Sequence, residues 1–420
     1  MKIDQLALHW QMLLALVFGL LAGWLFGASF NSWGNVVSGI GDIFLHAINM
    51  IVIPLVFLST VLGFASMDGT KSMGRVAAKS FIFFFALDVI AAVVGVLITQ
   101  LLRPGYGAHY INIEGASDNI IANAQHAEQM TFMDKMVDIV PKNIFEAFSS
   151  GAILPIIFFS ILLGFFVTRI IPERQNKIIS LFEAFNDVIV KITSFIIRFA
   201  PLGVFAIVMS MVGRQAGNFD ELKSCFLSIA FFVIVVWISL LIIGGIVLPI
   251  IVALMAQVSP LRHLRQIYSA LLLAFSTSSS YCALPLIISD AKEKMGVSNS
   301  IASFTVPLGI TFNKIGTIIY ECVAVIFVSQ AVGIDLSFAQ QVSLIAASIV
   351  TVLGAPSVPM AGVVVLAIML NVMGLPTSYI GMFVVVDMLC DMPKTLINAY
   401  SVSCSAIVVA RSEGENIMYS

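Results

Sequence analysis

Asp387, Asp391, Lys394, Thr395 and Asn398 interrupt a run from about Tyr379 to Ala410 that is otherwise apolar. Their offsets from Asp387 are 4, 7, 8 and 11, which puts all five on one face of an α-helix. A charge inside a membrane-length apolar segment costs several kcal/mol unless it meets a partner or a wet cavity. A polar stripe at that depth is therefore a candidate binding surface for a small charged solute. The alternative is an internal ion pair that only ties helices together.

Composition sets the surroundings of that stripe. The chain is 60% hydrophobic and 10% charged, with mean hydropathy +1.04, whereas soluble domains carry about a quarter charged residues. Apolar runs near 10–27, 36–64, 78–102, 145–171, 180–212, 224–256, 300–332 and 378–410 reach the roughly 20 residues needed to span a bilayer. An all-α, polytopic membrane protein with eight spans is expected. The first run, Trp10–Gly27, lacks a small-residue cleavage site and reads as a retained helix rather than a signal peptide. The cysteines (Cys225, Cys282, Cys322, Cys390, Cys404) show no metal-ligand spacing and read as packed thiols. No motif asks for a cofactor, a metal or nucleic acid, and no nucleophile–base pair suggests an enzyme. A net charge of −2 does not discriminate among partners.

Cationic residues set the expected orientation. Lys71, Arg75, Lys79, Arg169, Arg174, Lys177, Arg262, Arg265, Lys292 and Lys294 fall in connections on one side. The other side holds Arg103, Lys135, Lys142, Arg214 and Lys223. The positive-inside rule then places both termini in the cytoplasm and the chain in the plasma (inner) membrane. The longest polar insert, 103–142, reads as an outer surface loop.

Two segments resist description as simple spans. Around 258–290, two short apolar arms flank Phe275-Ser276-Thr277-Ser278-Ser279-Ser280-Tyr281. Around 336–371 the centre is Gly354-Ala355-Pro356-Ser357-Val358-Pro359-Met360-Ala361-Gly362. Non-helical backbone at membrane depth survives only against protein or a water-filled cavity. Paired interrupted segments of this kind point to a transporter's binding site. Serine hydroxyls and freed amides at a helix tip suit a carboxylate. Between them, Pro307-Leu308-Gly309-Ile310-Thr311-Phe312-Asn313-Lys314-Ile315-Gly316-Thr317 places Asn313 and Lys314 mid-span beside a helix-breaking glycine. Glu321 follows one turn after Thr317.

These features together resemble the glutamate transporter family, the dicarboxylate/amino acid:cation symporters. The likeness runs from Pro54-Leu55-Val56-Phe57 through Ala200-Pro201-Leu202-Gly203-Val204-Phe205-Ala206 to the last helix, with the serine tip, the Asn-x-x-Gly-Thr break, the Val358-Pro359 tip and the Asp391/Thr395/Asn398 stripe in the family's order. The resemblance implies eight transmembrane helices, two re-entrant hairpins, a homotrimer in the lipid bilayer and an elevator mechanism. It divides the chain into scaffold (1–77 and 143–223) and transport parts (78–142 with helix 3 and the outer loop, and 224–420 as the core).

It also assigns roles. Asp391 matches the residue holding a substrate's amino group, which favours an amino acid. Asn398 and the Ser278, Ser279 and Ser280 backbone match the carboxylate-binding positions, and Thr317 and Lys394 match those that read the side chain. Thr395, Val358 and Gly362 complete the substrate set. Acidic-substrate carriers have arginine where Lys394 stands; lysine keeps the charge but loses the bidentate fork. Pro393 replaces a usual glycine.

The ion sites depart from the family pattern. Ile315 and Val402 stand where sodium-binding aspartates are implied, and Lys314 replaces a methionine. Glu321 matches a proton-carrying glutamate, and Asp88 stands where a sodium-site hydroxyl is implied. Asp88 and Lys314 could form a fixed ion pair beside Asn313. The reading is a sodium-independent carrier of an amino acid, acidic by preference, that is proton-coupled or uncoupled. A carrier of neutral or sulfur-containing amino acids such as cystine, and a channel-like homologue that does not transport, remain open.

Overall fold

A computed structural model describes residues 8–26, 30–65, 71–106, 108, 140–150, 153–214, 219–353 and 361–417. Every regular element in these stretches is helical. In chain order they are α1 (Leu8–Phe26), α2 (Phe30–Ala65), α3 (Lys71–Leu102), α4 (Ile144–Ser150), α5 (Ile153–Val167), α6 (Pro172–Ile197), α7 (Ala200–Arg214), α8 (Phe219–Ile242), α9 (Pro260–Thr277), α10 (Ser280–Glu293), α11 (Asn299–Phe312), α12 (Ile315–Ala331), α13 (Phe338–Leu353), α14 (Ala361–Val372) and α15 (Ile380–Ser412). After α8 the backbone continues through Leu248–Ile251, flanked by two π-helical turns, Ile243–Val247 and Val252–Ala256. Among the described residues, Arg75–Leu102, Leu227–Ala256 and Asn299–Ala331 are long and apolar enough to cross a membrane.

Helix breaks fall where the backbone chemistry demands them. The run expected at 180–212 divides at Arg198 and Phe199, because Pro201 has no amide hydrogen to carry the ladder across. In the run at 145–171, α4 and α5 flank residues 151–152, which lie outside the described residues. The serine tip separates α9 from α10, and Ser278 adopts a left-handed φ of 49°. The second interrupted segment is helical on both arms as α13 and α14. Its tip at 354–360, including Val358, lies outside the described residues.

Packing follows two groups of neighbours. Helix α1 lies on α7, while α2 lies on α5, α6 and α7. Helix α12 lies on α3, and α15 is surrounded by α8, α9, α10, α11, α12 and α14. The groups meet where α2 touches α14, α5 touches α13 and α7 touches α15. At the centre, every side chain of α12 from Ile318 to Val328 is fully enclosed. Phe232 of α8 meets Tyr320, Phe327 and Phe383 edge-on, with ring centroids 5.9, 5.4 and 5.1 Å away. This aromatic joint fixes α8, α12 and α15 against each other and so holds the polar stripe in register.

Candidate functional site

The stripe on α15 begins with a buried cation. Lys394 Nζ lies 2.7 Å from Asp387 Oδ1 and 3.3 Å from Asp391 Oδ1. It also sits 4.0 Å from the centre of the Tyr320 ring, within cation–π range. Lys394 and Asp387 are 2% and 1% exposed, while Asp391 is 17% exposed. Asp387 is thus the inner anchor, and Asp391 has the more open carboxylate. The spacing of Lys394 and Asp391 suggests two charges open to a ligand. In the structure they touch each other, and Asp387 is the nearer acid. The i, i+7 offset signals that contact in the sequence; nothing there signals Tyr320.

Two glycines let other elements approach this cation. A Cβ on Gly362, in the first turn of α14, would lie 2.7 Å from Lys394 Nζ and 3.2 Å from Asp387 Oδ1. A Cβ on Gly316 would lie 2.5 Å from the Lys394 carbonyl oxygen. A side chain at Gly316 would meet the backbone of α15 and push α12 off it, whereas one at Gly362 would displace the Lys394 ammonium from its place.

The break between α11 and α12 is tied to the same helix. The Gly316 amide donates to Asn398 Oδ1 at 2.8 Å, and Asn398 Nδ2 donates to Thr317 Oγ1 at 3.4 Å. Asn313 Nδ2 donates to Ser405 Oγ at 3.2 Å. Side chains of α15 thereby satisfy groups that an interrupted helix leaves open. Thr317, Asn398, Lys394 and Asp391 therefore converge, with Thr395 buried on the same face. Both arms of the serine hairpin pack on α15. Ser280 is buried, Ser278 and Ser279 are half-buried, and Tyr281 Oη lies 3.5 Å from Thr311 Oγ1 just before the break.

A second charged group lies beyond the break. Asp88, Lys314 and Glu321 are 2%, 5% and 0% exposed. Lys314 is within electrostatic reach of both acids, and Glu321 also feels Lys394. Asp88 Oδ1 and both Glu321 carboxylate oxygens have no hydrogen-bond partner among the described residues. Ile315 and Val402 are packed apolar side chains, 1% and 0% exposed. Both Val402 methyls lie 3.1 Å from where a Cβ on Gly309 would be. Neither side chain offers an oxygen to a cation.

Residues 8–412 match the family model described as the sodium:dicarboxylate symporter family. The chain belongs to this family. The glutamate-transporter resemblance read from the motifs is therefore correct, and the protein is a membrane transporter rather than an enzyme. A relative from Bacillus caldotenax, named proton/sodium-glutamate symport protein, is 33% identical over 98% of this chain and 96% of its own length. The proton/glutamate-aspartate symporter of Escherichia coli (strain K12) is 33% identical over 98% of this chain and 94% of its own. The C4-dicarboxylate transport protein of Bacillus subtilis (strain 168) is 30% identical over 96% and 93%.

Proposed function

We propose that this transporter carries an acidic amino acid, aspartate- or glutamate-like, by a sodium-independent elevator movement. The observation that carries the reading is the partly open Asp391 carboxylate beside the enclosed Lys394 ammonium. Asp391 offers an acceptor for a substrate's ammonium group. Lys394 offers a cation for a second carboxylate, which would draw it away from Asp391. Relatives named for glutamate and for C4-dicarboxylates share the two-carboxylate feature of their solutes; the acid at 391 favours the member of that pair with an amino group.

Sodium independence rests on Ile315, Val402 and Lys314. A hard cation needs several oxygens to replace its water, and these side chains supply two packed alkyl groups and an ammonium. Glu321 is then the best-placed acid to couple uptake to protons, because it is enclosed and its oxygens lack hydrogen-bond partners among the described residues. In this reading residues 1–77 and 143–223 form the trimerising scaffold, and 78–142 with 224–420 form the moving part. The protein resides in the inner membrane with both termini cytoplasmic.

Binding of L-aspartate, L-serine, L-cystine and succinate to purified protein tests the substrate. Asp391→Asn should weaken aspartate binding roughly ten- to 150-fold, since a charge-assisted hydrogen bond contributes about 1.5–3 kcal/mol. Lys394→Thr should weaken aspartate and favour serine. Aspartate affinity unchanged in Lys394→Thr would refute the acidic-substrate reading.

A further inference from the structure

Pro393 sits inside α15, between Asp391 and Lys394. It has no amide hydrogen, so the carbonyl of Leu389, four residues earlier, loses its intrahelical donor, and the proline ring crowds that same carbonyl. A bare carbonyl at membrane depth is costly unless a neighbour supplies a donor. Here the neighbour is Trp237 of α8, whose Nε1–H donates to Leu389 O at 3.1 Å. Indole has one donor and no acceptor, which suits an orphaned carbonyl. Trp237 is 45% exposed, unlike the fully buried Phe232 on the same helix. Burial alone therefore does not explain where the indole sits.

The effect of this bond extends to the site. Helices bend at proline because the ladder is open there, and the bend in α15 would lie between the two charged residues. Their 3.3 Å contact crosses the proline. We infer that Trp237 is a positioning residue of the substrate site, pinning the carbonyl that Pro393 leaves open and so setting the spacing of Asp391 and Lys394. The inference rests on the proposed reading of that pair as substrate groups. It explains how a proline is accommodated beside the site: its missing hydrogen bond is replaced from α8, which the aromatic joint already holds against α15.

The test uses full-length protein in liposomes, with KM and Vmax for L-aspartate, competition by L-serine, and thermal denaturation of the purified protein. The variants are W237F, P393A, their combination and D391N. W237F should raise KM roughly tenfold, the size expected for one well-made hydrogen bond. It should lower Vmax less and narrow the preference for aspartate over serine. In P393A the Leu389 carbonyl regains an amide partner, so adding W237F should then change KM less than about twofold, in the manner of a double-mutant cycle. Equal KM losses in both backgrounds, or lost thermal stability with KM and preference unchanged, would overturn the inference. If W237F does not accumulate, accumulation of the double variant supports it and failure of both overturns it. Aspartate uptake indifferent to D391N would sink the substrate-site reading instead. The W237F–P393A coupling in thermal stability would still report whether the indole serves the carbonyl.

Discussion

The two buried charged groups, on either side of the α11–α12 break, are provided for very differently. Lys394 has two carboxylates and an aromatic ring around one ammonium. Asp387 Oδ2 and Tyr320 Oη in this group, like Asp88 Oδ1 and both Glu321 oxygens across the break, have no hydrogen-bond partner among the described residues. The difference is that Asp387 keeps its other oxygen on Lys394, whereas neither Glu321 oxygen has such a bond and Lys314 is the cation that both Asp88 and Glu321 feel. Lys394, Asp387, Asp88, Lys314 and Glu321 are all 5% exposed or less and Asp391 alone is more open, so solvent access does not explain the contrast between Lys394 and Glu321. An ion held by several partners is fixed in place and can serve as a template for a ligand. Enclosed acids lacking hydrogen-bond donors are costly while charged, and they suit a task in which charge is gained and lost. In the proposed function the first group serves recognition and the second coupling.

The largest test of this contrast breaks the provided group. Asp387→Ala leaves Lys394 with only the outer acid, and loss of one partner from a buried pair costs about 3–5 kcal/mol. A clear fall in the thermal midpoint of purified protein is expected. The double change Asp387→Leu with Lys394→Met should recover part of it, because only the more open Asp391 carboxylate is then left without its cation. Equal stability of native protein and Asp387→Ala would mean that Lys394 is held by Asp391 and Tyr320 alone.

A smaller effect is expected across the break. Lys314→Met should leave Asp88 without its cation and weaken aspartate binding or stability, and adding Asp88→Ser should restore part of the loss. Purely additive losses in that cycle would show that the two residues act independently. Glu321→Gln should remove the dependence of uptake on an inward proton gradient while exchange of internal for external aspartate survives. Loss of exchange as well would move Glu321 from coupling into the substrate site.

How much of this was legible in the sequence depends on the range of each interaction. The stripe from Asp387 to Asn398 follows from helical periodicity, because its members share one helix. The break, observed at Asn313–Lys314 with Gly316 already inside α12, and the serine tip at 278–279 follow from local backbone chemistry. The split of 180–212 at Arg198 and Phe199 is also local: Pro201 signals it, although the residues around it form one continuous apolar run. Tyr320 under Lys394, Gly362 against its ammonium, and Trp237 on the Leu389 carbonyl depend on how separate helices cross. A proline inside α15 announces that some donor is needed; it does not say that α8 provides it.

The smallest expected effect lies outside the membrane-spanning part. Glu413, just past α15, meets Arg75 Nη2 at 2.8 Å and Lys79 Nζ at 2.5 Å, joining the start of α3 to the end of α15. Hydrogen bonds from Lys79 and then Arg75 hold its carboxyl below the ordinary glutamate range. Stability from this clasp is therefore complete above that range and fades as pH falls through the lowered value. Exposed pairs contribute little and are screened by salt. Glu413→Gln should produce a slight loss of thermal stability at neutral pH, diminished in high salt. A loss as large as that of Asp387→Ala would contradict the ranking of the two ion pairs.

We propose that this member of the family binds and moves its substrate without sodium. L-Aspartate uptake into liposomes holding the purified protein should be measured with external sodium replaced by choline, at fixed pH and with an imposed inward proton gradient. Sodium-independent, proton-driven transport gives equal initial rates in the two salts, rising with the proton gradient. Uptake that requires sodium and climbs steeply with its concentration would contradict it.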